Sequence, residues 1–512
     1  MDNDSERFDY VIVGAGSAGC VLAERLTEDR HTRVALIEAG GPDRSNAIKV
    51  PALFTRAFGT ADDWAFTTTE QAELGNRPVF FPRGRTLGGS SSINAMLWTR
   101  GHRVDYEAWA SRGCVGWTYE DVRPYFERAE CGPIRLDEVR TPSPSTADFL
   151  TACALSGHEP VGDDLEGFME SRVTHFRGLR WSAADGYLVP ARHRPNLTVV
   201  TGGLVERLLL KGTHAVGVQV RTATGVRQVR ARKEVILSAG SVGSPHVLML
   251  SGIGPSEHLS DLGLPTVVDA PGVGQELTDH MVVPLAFTSD ELRSPGVGAD
   301  QDDIRQYLRH RHGPLGSNLA EALLFLRTRP ELPAPDIELV LMQVPFGDHE
   351  TTADHGLAVG VMLLQPRSRG QVTLRSAHPD DPPLINPRYL SDVDGRDLAV
   401  TVDGMRKAHE IMRQPVFAKW LGKPLTTGAL SDTEADITRY IRRTGISLFH
   451  PVSTCRMGVE QDAVLDLEFR VRGTTGLRVV DASAMPHIVR GHTHAPTVML
   501  AERAADMIRA AH

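Results

Sequence analysis

Phe8-Asp-Tyr-Val-Ile-Val-Gly14-Ala-Gly16-Ser17-Ala18-Gly19, followed by Cys20-Val-Leu-Ala-Glu-Arg-Leu26 and then Arg33-Val-Ala-Leu-Ile-Glu38-Ala39-Gly40-Gly41, decides the fold. A β-branched run, a glycine-rich turn, a helical pattern and a second apolar run ending in a carboxylate make one βαβ unit. Gly14 permits the tight turn, Gly16 lets a pyrophosphate approach the backbone, and Gly19 lets the helix pack on the strand. Ser17 and Ala18 open the helix, where unpaired N–H groups and the dipole favour an anion. Glu38 stands 19 residues beyond Gly19, near the ~20 at which a carboxylate accepts from ribose hydroxyls, with Ala39 beside it. The unit therefore binds a dinucleotide. The carboxylate disfavours a 2′-phosphate and so NADP; NAD and FAD both remain open on these residues alone.

The chain has 512 residues and a net charge of −9, with both signs interspersed. That length exceeds one ordinary core and predicts two domains. No basic stripe points to nucleic acid. The polar start, Met1-Asp-Asn-Asp-Ser-Glu-Arg7, does not read as a secretory leader. No apolar run reaches the ~18 residues of a spanning helix. Cys20, Cys114, Cys131, Cys153 and Cys455 are odd in number and scattered, which reads as a reduced, cytoplasmic chain. Asn196-Leu-Thr198 carries no meaning without export.

Along the chain, 41–100 is irregular, 103–130 reads as helical and 131–147 as a loop. Leu197–Thr201, Val205–Lys211, Ala215–Arg221 and Glu234–Gly240 read as strands, the last leading into a helix at Ser244-Pro245. Between 286 and 445, helical and strand-like runs alternate. Leu477–Ser483 is a final short strand before a C-terminal helix from about Thr497. A βαβ start and a strand–helix end share one layer only if the dinucleotide domain is discontinuous, with the middle inserted as a lobe above the cofactor.

Gly84-Arg-Thr-Leu87-Gly-Gly89-Ser90-Ser-Ser-Ile93-Asn94-Ala95-Met96 resembles the first signature of the glucose–methanol–choline (GMC) oxidoreductases, and Gly240-Ser-Val-Gly-Ser244-Pro245 through Ser251-Gly-Ile-Gly254 resembles the second. Asp63-Trp64, Tyr187-Leu-Val-Pro190, Leu277-Thr-Asp279-His280, Ser368-Arg-Gly370 and His450-Pro-Val-Ser-Thr-Cys-Arg-Met457-Gly458 extend the likeness in order over nearly the whole chain. The resemblance implies an α/β fold: a discontinuous Rossmann-like FAD-binding domain (1–150, 195–285 and 446–512) with an inserted α+β substrate-binding domain over the flavin (151–194 and 286–445).

It implies FAD as the cofactor. A glycine/serine loop at 88–92 suits that reading physically, since successive N–H groups and hydroxyls form a nest for polar cofactor atoms. By the same resemblance Leu87, Gly89 and Ser90 hold the cofactor, and Asn94, Ala95, Met96 and Leu97 run along the isoalloxazine. Trp64 packs near the ring, Val205 holds the adenine, Asp481 and Ala482 approach the pyrophosphate or ribityl chain, and Phe449 and Thr493 flank the reacting end. Ile93 occupies the position where some family members attach FAD through a histidine, so the flavin is expected to be non-covalent.

Of the 20 histidines, His246, His258 and His280 read as scaffold. His450 and His492 align with the family's active-site pair: His450 as the base for the alcohol hydroxyl, His492 as the partner that orients it, with His494 the alternative to His492. A neutral imidazole, of reference pKa ~6.5, suits proton removal. His487, His492 and His494 could be read as metal ligands, but no HExxH or companion ligand spacing accompanies them, and no metal is expected. No GxSxG elbow points to a serine hydrolase. The expected reaction is oxidation of a small-molecule alcohol to an aldehyde or ketone, with hydride passing to the flavin and then to oxygen or a quinone-type acceptor. A cyanohydrin-type lyase on the same fold is the alternative, and a photodecarboxylase-like activity a more distant one.

Overall fold

The computed structural model describes residues 7–162, 165–295, 299–347 and 355–512; the polar start read at Met1–Glu6 lies outside them. Two sheets organise the chain. The first has seven strands and contains the βαβ unit. Arg7–Val13 runs parallel to Val34–Ile37 on one side and to the end of Gly225–Leu237 on the other, Leu197–Val200 extends the sheet beyond Val34–Ile37, and Leu477–Val479 joins at Val235–Leu237. The central strands are apolar on both faces, as parallel strands covered by helices must be. Gly225–Leu237 serves two pairings. Its C-terminal half lies in this parallel layer, and its N-terminal half pairs antiparallel with His214–Thr222, which continues to Leu204–Lys211.

The helix Ser17–Leu26 packs between this sheet and the C-terminal helix His494–Ala510. A buried carboxylate locks them: Glu502 accepts from Arg25 Nε and Nη2, each at 2.8 Å, and from the Tyr187 hydroxyl at 2.8 Å. The close packing of helix on strand depends on Gly19, where a Cβ would fall 1.9 Å from the Gly14 carbonyl oxygen.

The second sheet is antiparallel, with six strands in the order Ile446–Ser447, Met281–Thr288, Gly356–Leu363, Ile337–Met342, Ala320–Leu326, Gly167–Glu170. Its strands alternate between two apolar clusters. Ile337, Leu339 and Leu341 pack outward beneath the helices Arg396–Met412, Pro144–Leu155 and Glu434–Thr444. Val340 and Met342 belong to the cluster on the opposite face, towards the first domain.

Several expected boundaries move. Pro144–Leu155 is a helix where a loop was expected up to 147; it packs Phe149, Ala152 and Cys153 under the second sheet, so the crossing precedes 150. Ala184, Tyr187, Leu188 and Ala191 pack back into the first core, although 151–194 was expected in the substrate domain. Met281–Thr288 and Ile446–Ser447 are strands of the second sheet, although 195–285 and 446–512 were expected in the FAD-binding domain. The helical stretch 103–130 is two helices, Arg103–Ser111 and Tyr119–Glu130, each with its own capping box and separated by Gly113 and Gly116 at positive φ. The helix expected at Ser244-Pro245 begins earlier, at Gly240. The last helix begins at His494, because Pro496 fits a first turn that needs no donor from it.

Gly19→Ala should destabilise the protein by about 3 kcal/mol or more, since the clash is with main chain that cannot move aside. Gly41→Ala, where a Cβ meets nothing within 4 Å, should change stability by less than about 0.5 kcal/mol. Urea denaturation midpoints of the two variants check this; equal midpoints would refute the packing role.

Candidate active site

One cavity of about 450 Å³ lies between the C-terminal ends of the parallel strands and the inner face of the second sheet. It brings together Gly14, Gly16, Ser17, Ala18, Glu38, Ala39, Trp64, Gly89, Ser90, Asn94, Ala95, Met96, Leu97, Val205, Phe449, His450, Asp481, Ala482, His492 and Thr493. Two residues expected with them are not in its wall. Gly19 abuts Gly14 behind the loop. Leu87 braces the loop through main chain: its N–H donates to Gly41 O at 3.1 Å, and its carbonyl accepts from Ser92 Oγ at 2.7 Å.

At the nucleotide end the wall is largely backbone. Gly14 has φ +98°, and a Cβ there would lie 2.5 Å from Ser238 O. A Cβ on Gly89 would fall 2.7 Å from the Gly16 Cα, so the two glycine loops touch main chain to main chain. The helices beginning at Ser17 and His494 both open on the cavity with no side-chain cap on their first N–H groups, an arrangement suited to an anion. Ser17 Oγ and His494 Nδ1 meet at 3.1 Å and tie the two termini together. Glu38 accepts from Ala15 N and Gly40 N, each at 2.8 Å; a carboxylate has about four acceptor sites, so capacity remains for sugar hydroxyls. Burial pushes its pKa up to about 7 against those two hydrogen bonds. Asp481 differs. Gly240 N, Ser244 Oγ and both the N–H and hydroxyl of Ser483 occupy its oxygens, so it shapes the loop and leaves contact with a cofactor to the main chain.

Further along, Asn94 Oδ1 accepts from Met96 N at 3.0 Å and from Arg180 Nη1 at 2.7 Å. Sequence reading missed Arg180. It is 1% exposed, donates also to Ile48 O and Ser91 O, and burial pulls its pKa down to about 9. Ile93 borders the cavity with an aliphatic side chain. His102, the nearest histidine in sequence, instead caps the helix Arg103–Ser111. These features fit a bound FAD: backbone at the phosphates, a carboxylate at the ribose, and a broad slot past Asn94.

The other end is built on histidines. His450 Nε2 stands 3.3 Å from His492 Nδ1, and the rings meet edge to face. His492 Nε2 lies 3.0 Å from Glu338 Oε1, and its main-chain N–H donates to Thr99 Oγ1 at 2.9 Å. On the far side His450 Nδ1 lies 2.9 Å from His280 Nδ1, and His280 Nε2 lies 3.0 Å from Leu364 O. A carbonyl only accepts, so His280 carries its proton on Nε2. Burial pulls its pKa down to about 3, which keeps it neutral, and its Nδ1 must therefore accept from His450 Nδ1–H. Burial, with His492, His280 and Arg83 nearby, holds His450 well below the usual histidine range. A neutral His450 so arranged presents a bare lone pair on Nε2. His280, read as scaffold, thus sets the tautomer of the catalytic candidate.

Asp279 holds the loop that carries His450. Its Oδ1 accepts from His450 N at 2.7 Å, and its Oδ2 from Ser447 Oγ at 2.6 Å and from the Tyr389 hydroxyl. Arg83 Nη2 donates to Phe449 O at 2.6 Å, across a residue held at φ +68°. His494 sits at the other end, against Ser17 and edge-on to Trp98, and does not touch His450. His487 lies outside the cavity beside Arg112. Among the described residues no group of three His, Cys, Asp or Glu side chains converges as metal ligands would, and no helix is long and apolar enough to cross a membrane.

Family models described as GMC oxidoreductase match residues 8–282 and 366–501. An uncharacterized GMC-type oxidoreductase of Mycobacterium bovis is 44% identical over 533 residues, spanning 99% of this chain and 100% of the relative. The mitochondrial choline dehydrogenase of Homo sapiens is 39% identical over 544 residues, spanning 98% and 90%. Among solved structures, pyridoxine 4-oxidase from Mesorbium loti superposes with TM-score 0.89 at 30% identity over 99% of this chain and 100% of that one. A formate oxidase variant from Aspergillus oryzae gives 0.92 at 28% identity over 100% and 99%. The chain belongs to the GMC oxidoreductase family and is an FAD-dependent enzyme acting on CH–OH donors.

Proposed function

We propose that the protein oxidises a small alcohol to its aldehyde or ketone, with His450 as general base and His492 as the group that orients the hydroxyl. The observation that carries this reading is the contact between the two imidazoles, with His450 fixed in one tautomer by His280. At 3.3 Å the His450–His492 contact is long, and an alcohol oxygen can replace it: its O–H donates to His450 Nε2 while it accepts from His492 Nδ1–H. With that N–H so used, the contact between His492 Nε2 and Glu338 Oε1 requires one proton between them. Glu338 thereby locks the second ring, and the alcohol carbon is held in one orientation.

Bound FAD supplies the acceptor for the hydride. The residues do the rest: His450 takes the hydroxyl proton as the C–H bond breaks, and the apolar walls exclude water. Gly14, Gly16, Gly89 and the two helix N-termini would hold the pyrophosphate, Glu38 the ribose, and Asn94 to Leu97 the ring, without a covalent bond. The human relative named for choline makes a charged against an uncharged alcohol the first question about the substrate. Oxygen or a quinone would take the electrons onward.

His450→Ala should retain FAD and slow anaerobic flavin reduction about 10²–10⁴-fold, the usual worth of a general base. His492→Ala should also slow it, and His494→Ala less, because His494 stays at the nucleotide end. Stopped-flow bleaching of the oxidised flavin measures all three; an unimpaired His450→Ala would remove that residue from the chemistry.

Glu38 makes a pH prediction. Its carboxyl is raised to about 7, and ribose hydroxyls bind the charged form, so FAD binding must displace a proton below that pH. Affinity should fall as the solution is acidified, by about tenfold between pH 8 and pH 6. Glu38→Gln should bind more weakly and with no such slope. Fluorescence titration of apoprotein with FAD across this range tests it, and a flat wild-type profile would contradict it.

A further inference from the structure

The reacting end of the cavity has a chemical character that the histidines do not dictate. Its roof is the inner face of the second sheet, and the side chains that reach the cavity from it are Val282, Ala320, Val340, Met342 and, just past the strand, Phe346, with Gly360 leaving bare backbone. Among the described residues this roof carries no ionisable side chain. The side wall is aromatic: Phe58 meets Phe54 at 5.9 Å and Phe449 at 5.8 Å between ring centroids.

Three carboxylates lie on strands of the second sheet and none borders the cavity: Glu170 is exposed on the edge strand, and Glu321 and Glu338 are buried. Glu321 is turned away from the cavity, accepting from Ser317 Oγ at 2.5 Å, Thr146 Oγ1 at 2.6 Å and Ser143 N at 2.7 Å. Glu338 lies behind His492 and does not border the cavity. The carboxylates that do border it belong to the nucleotide end or are already engaged. Glu38 is on the ribose strand, Asp380 pairs with Arg221 of the hairpin that carries Val205, Asp381 accepts from Ser376, and Asp481 is saturated.

We infer that the substrate is an uncharged alcohol with an apolar tail, and that a quaternary ammonium alcohol is a poor substrate despite the choline dehydrogenases among the relatives. This rests on the reading of His450 and His492 as the pair that binds the hydroxyl. An ammonium entering this space sheds its water and regains only part of that cost from the phenylalanine faces, with no carboxylate on the roof among the described residues to offset the rest. An alkyl or aryl tail loses nothing on entry and is rewarded for every carbon buried.

Choline and 3,3-dimethylbutan-1-ol have the same shape and differ in a charged nitrogen against a carbon, so they isolate this term. With holoenzyme under anaerobic stopped flow, the carbon compound should reduce the flavin with a second-order rate constant at least about 100-fold above choline. Across unbranched primary alcohols the constant should rise about fourfold per added methylene until the roof is filled. Equilibrium binding to the His450→Ala holoenzyme, followed by the flavin absorbance shift, should show the same order without chemistry. Met342→Glu should move the carbon-to-choline ratio at least about tenfold towards choline; Phe346→Glu, on a half-buried loop position, gives the same test if the first variant loses its flavin. Choline equal to or better than its carbon isostere, or a ratio unmoved in a flavin-loaded glutamate variant, would overturn the inference while leaving alcohol oxidation intact. Bleaching by no alcohol at all, with the binding order in His450→Ala preserved, would overturn the reaction instead.

Discussion

The reacting end of the molecule depends on one buried carboxylate. Asp279 sits where the chain leaves the cofactor domain for the second sheet, and it gathers a main-chain donor from His450, a hydroxyl from Ser447 and a hydroxyl from Tyr389 of the substrate domain. Burial raises its carboxyl above the usual range, and those same three donors oppose the rise. Two segments far apart in sequence, 447–450 and the one at Tyr389, thus share one acceptor on a third. The left-handed Phe449 between them costs of order 1–3 kcal/mol, and persists because Asp279 on one side and Arg83 on the other over-determine its position. His280, the next residue along, then reaches His450 from the side opposite the cavity. Position and tautomer of His450 therefore come from neighbouring residues in one short segment.

The two ends of the cavity use opposite physics. At the nucleotide end the fold presents backbone dipoles and one carboxylate, which suits phosphates and sugar hydroxyls. At the other end it presents two imidazoles beneath an apolar roof, so the sheet side contributes apolar surface and the loop side the polar groups. The seam between the domains makes this separation possible, because each sheet contributes one character. Parallel strands end in loops rich in glycine and free N–H groups, whereas the antiparallel sheet turns one continuous apolar face inward.

The first domain was legible in the sequence because its signals are local. The glycine spacing, the helix behind it and Glu38 lie within one stretch, and the block Gly84–Met96 is equally compact. The second sheet was not. Its strands are nearly all apolar, so periodicity cannot separate them from buried helix, and their partners lie far away in the chain: Gly167–Glu170 pairs with Ala320–Leu326, and Met281–Thr288 with Ile446–Ser447. The domain boundaries slipped for the same reason. His450 and His492 were reachable through their flanking blocks. Glu338 was not, although one sign was visible: a lone acid inside Ile337-Glu-Leu-Val-Leu-Met342 is out of place in a buried strand unless something pairs with it. His280 was read as scaffold because nothing in Asp279-His280 says which way the ring points. Arg180 left no pattern at all, since an unpaired buried guanidinium is defined only by what surrounds it.

The discontinuous first domain has a consequence for how the enzyme matures. The sheet begun by Arg7–Val13 is completed by Leu477–Val479, and the first helix is covered only when His494–Ala510 docks on it through Glu502. Until residues 477–510 are made and docked, the chain lacks that strand and helix, the helix N–H groups, His492 and the partner of Ser17. The early βαβ unit can form during synthesis, but the slot for the flavin closes only once this late segment docks, so cofactor capture waits on it. A chain cut short before its final helix keeps His450 and His492 but loses the helix N-terminus that borders the slot, and with it a wall of the flavin's seat.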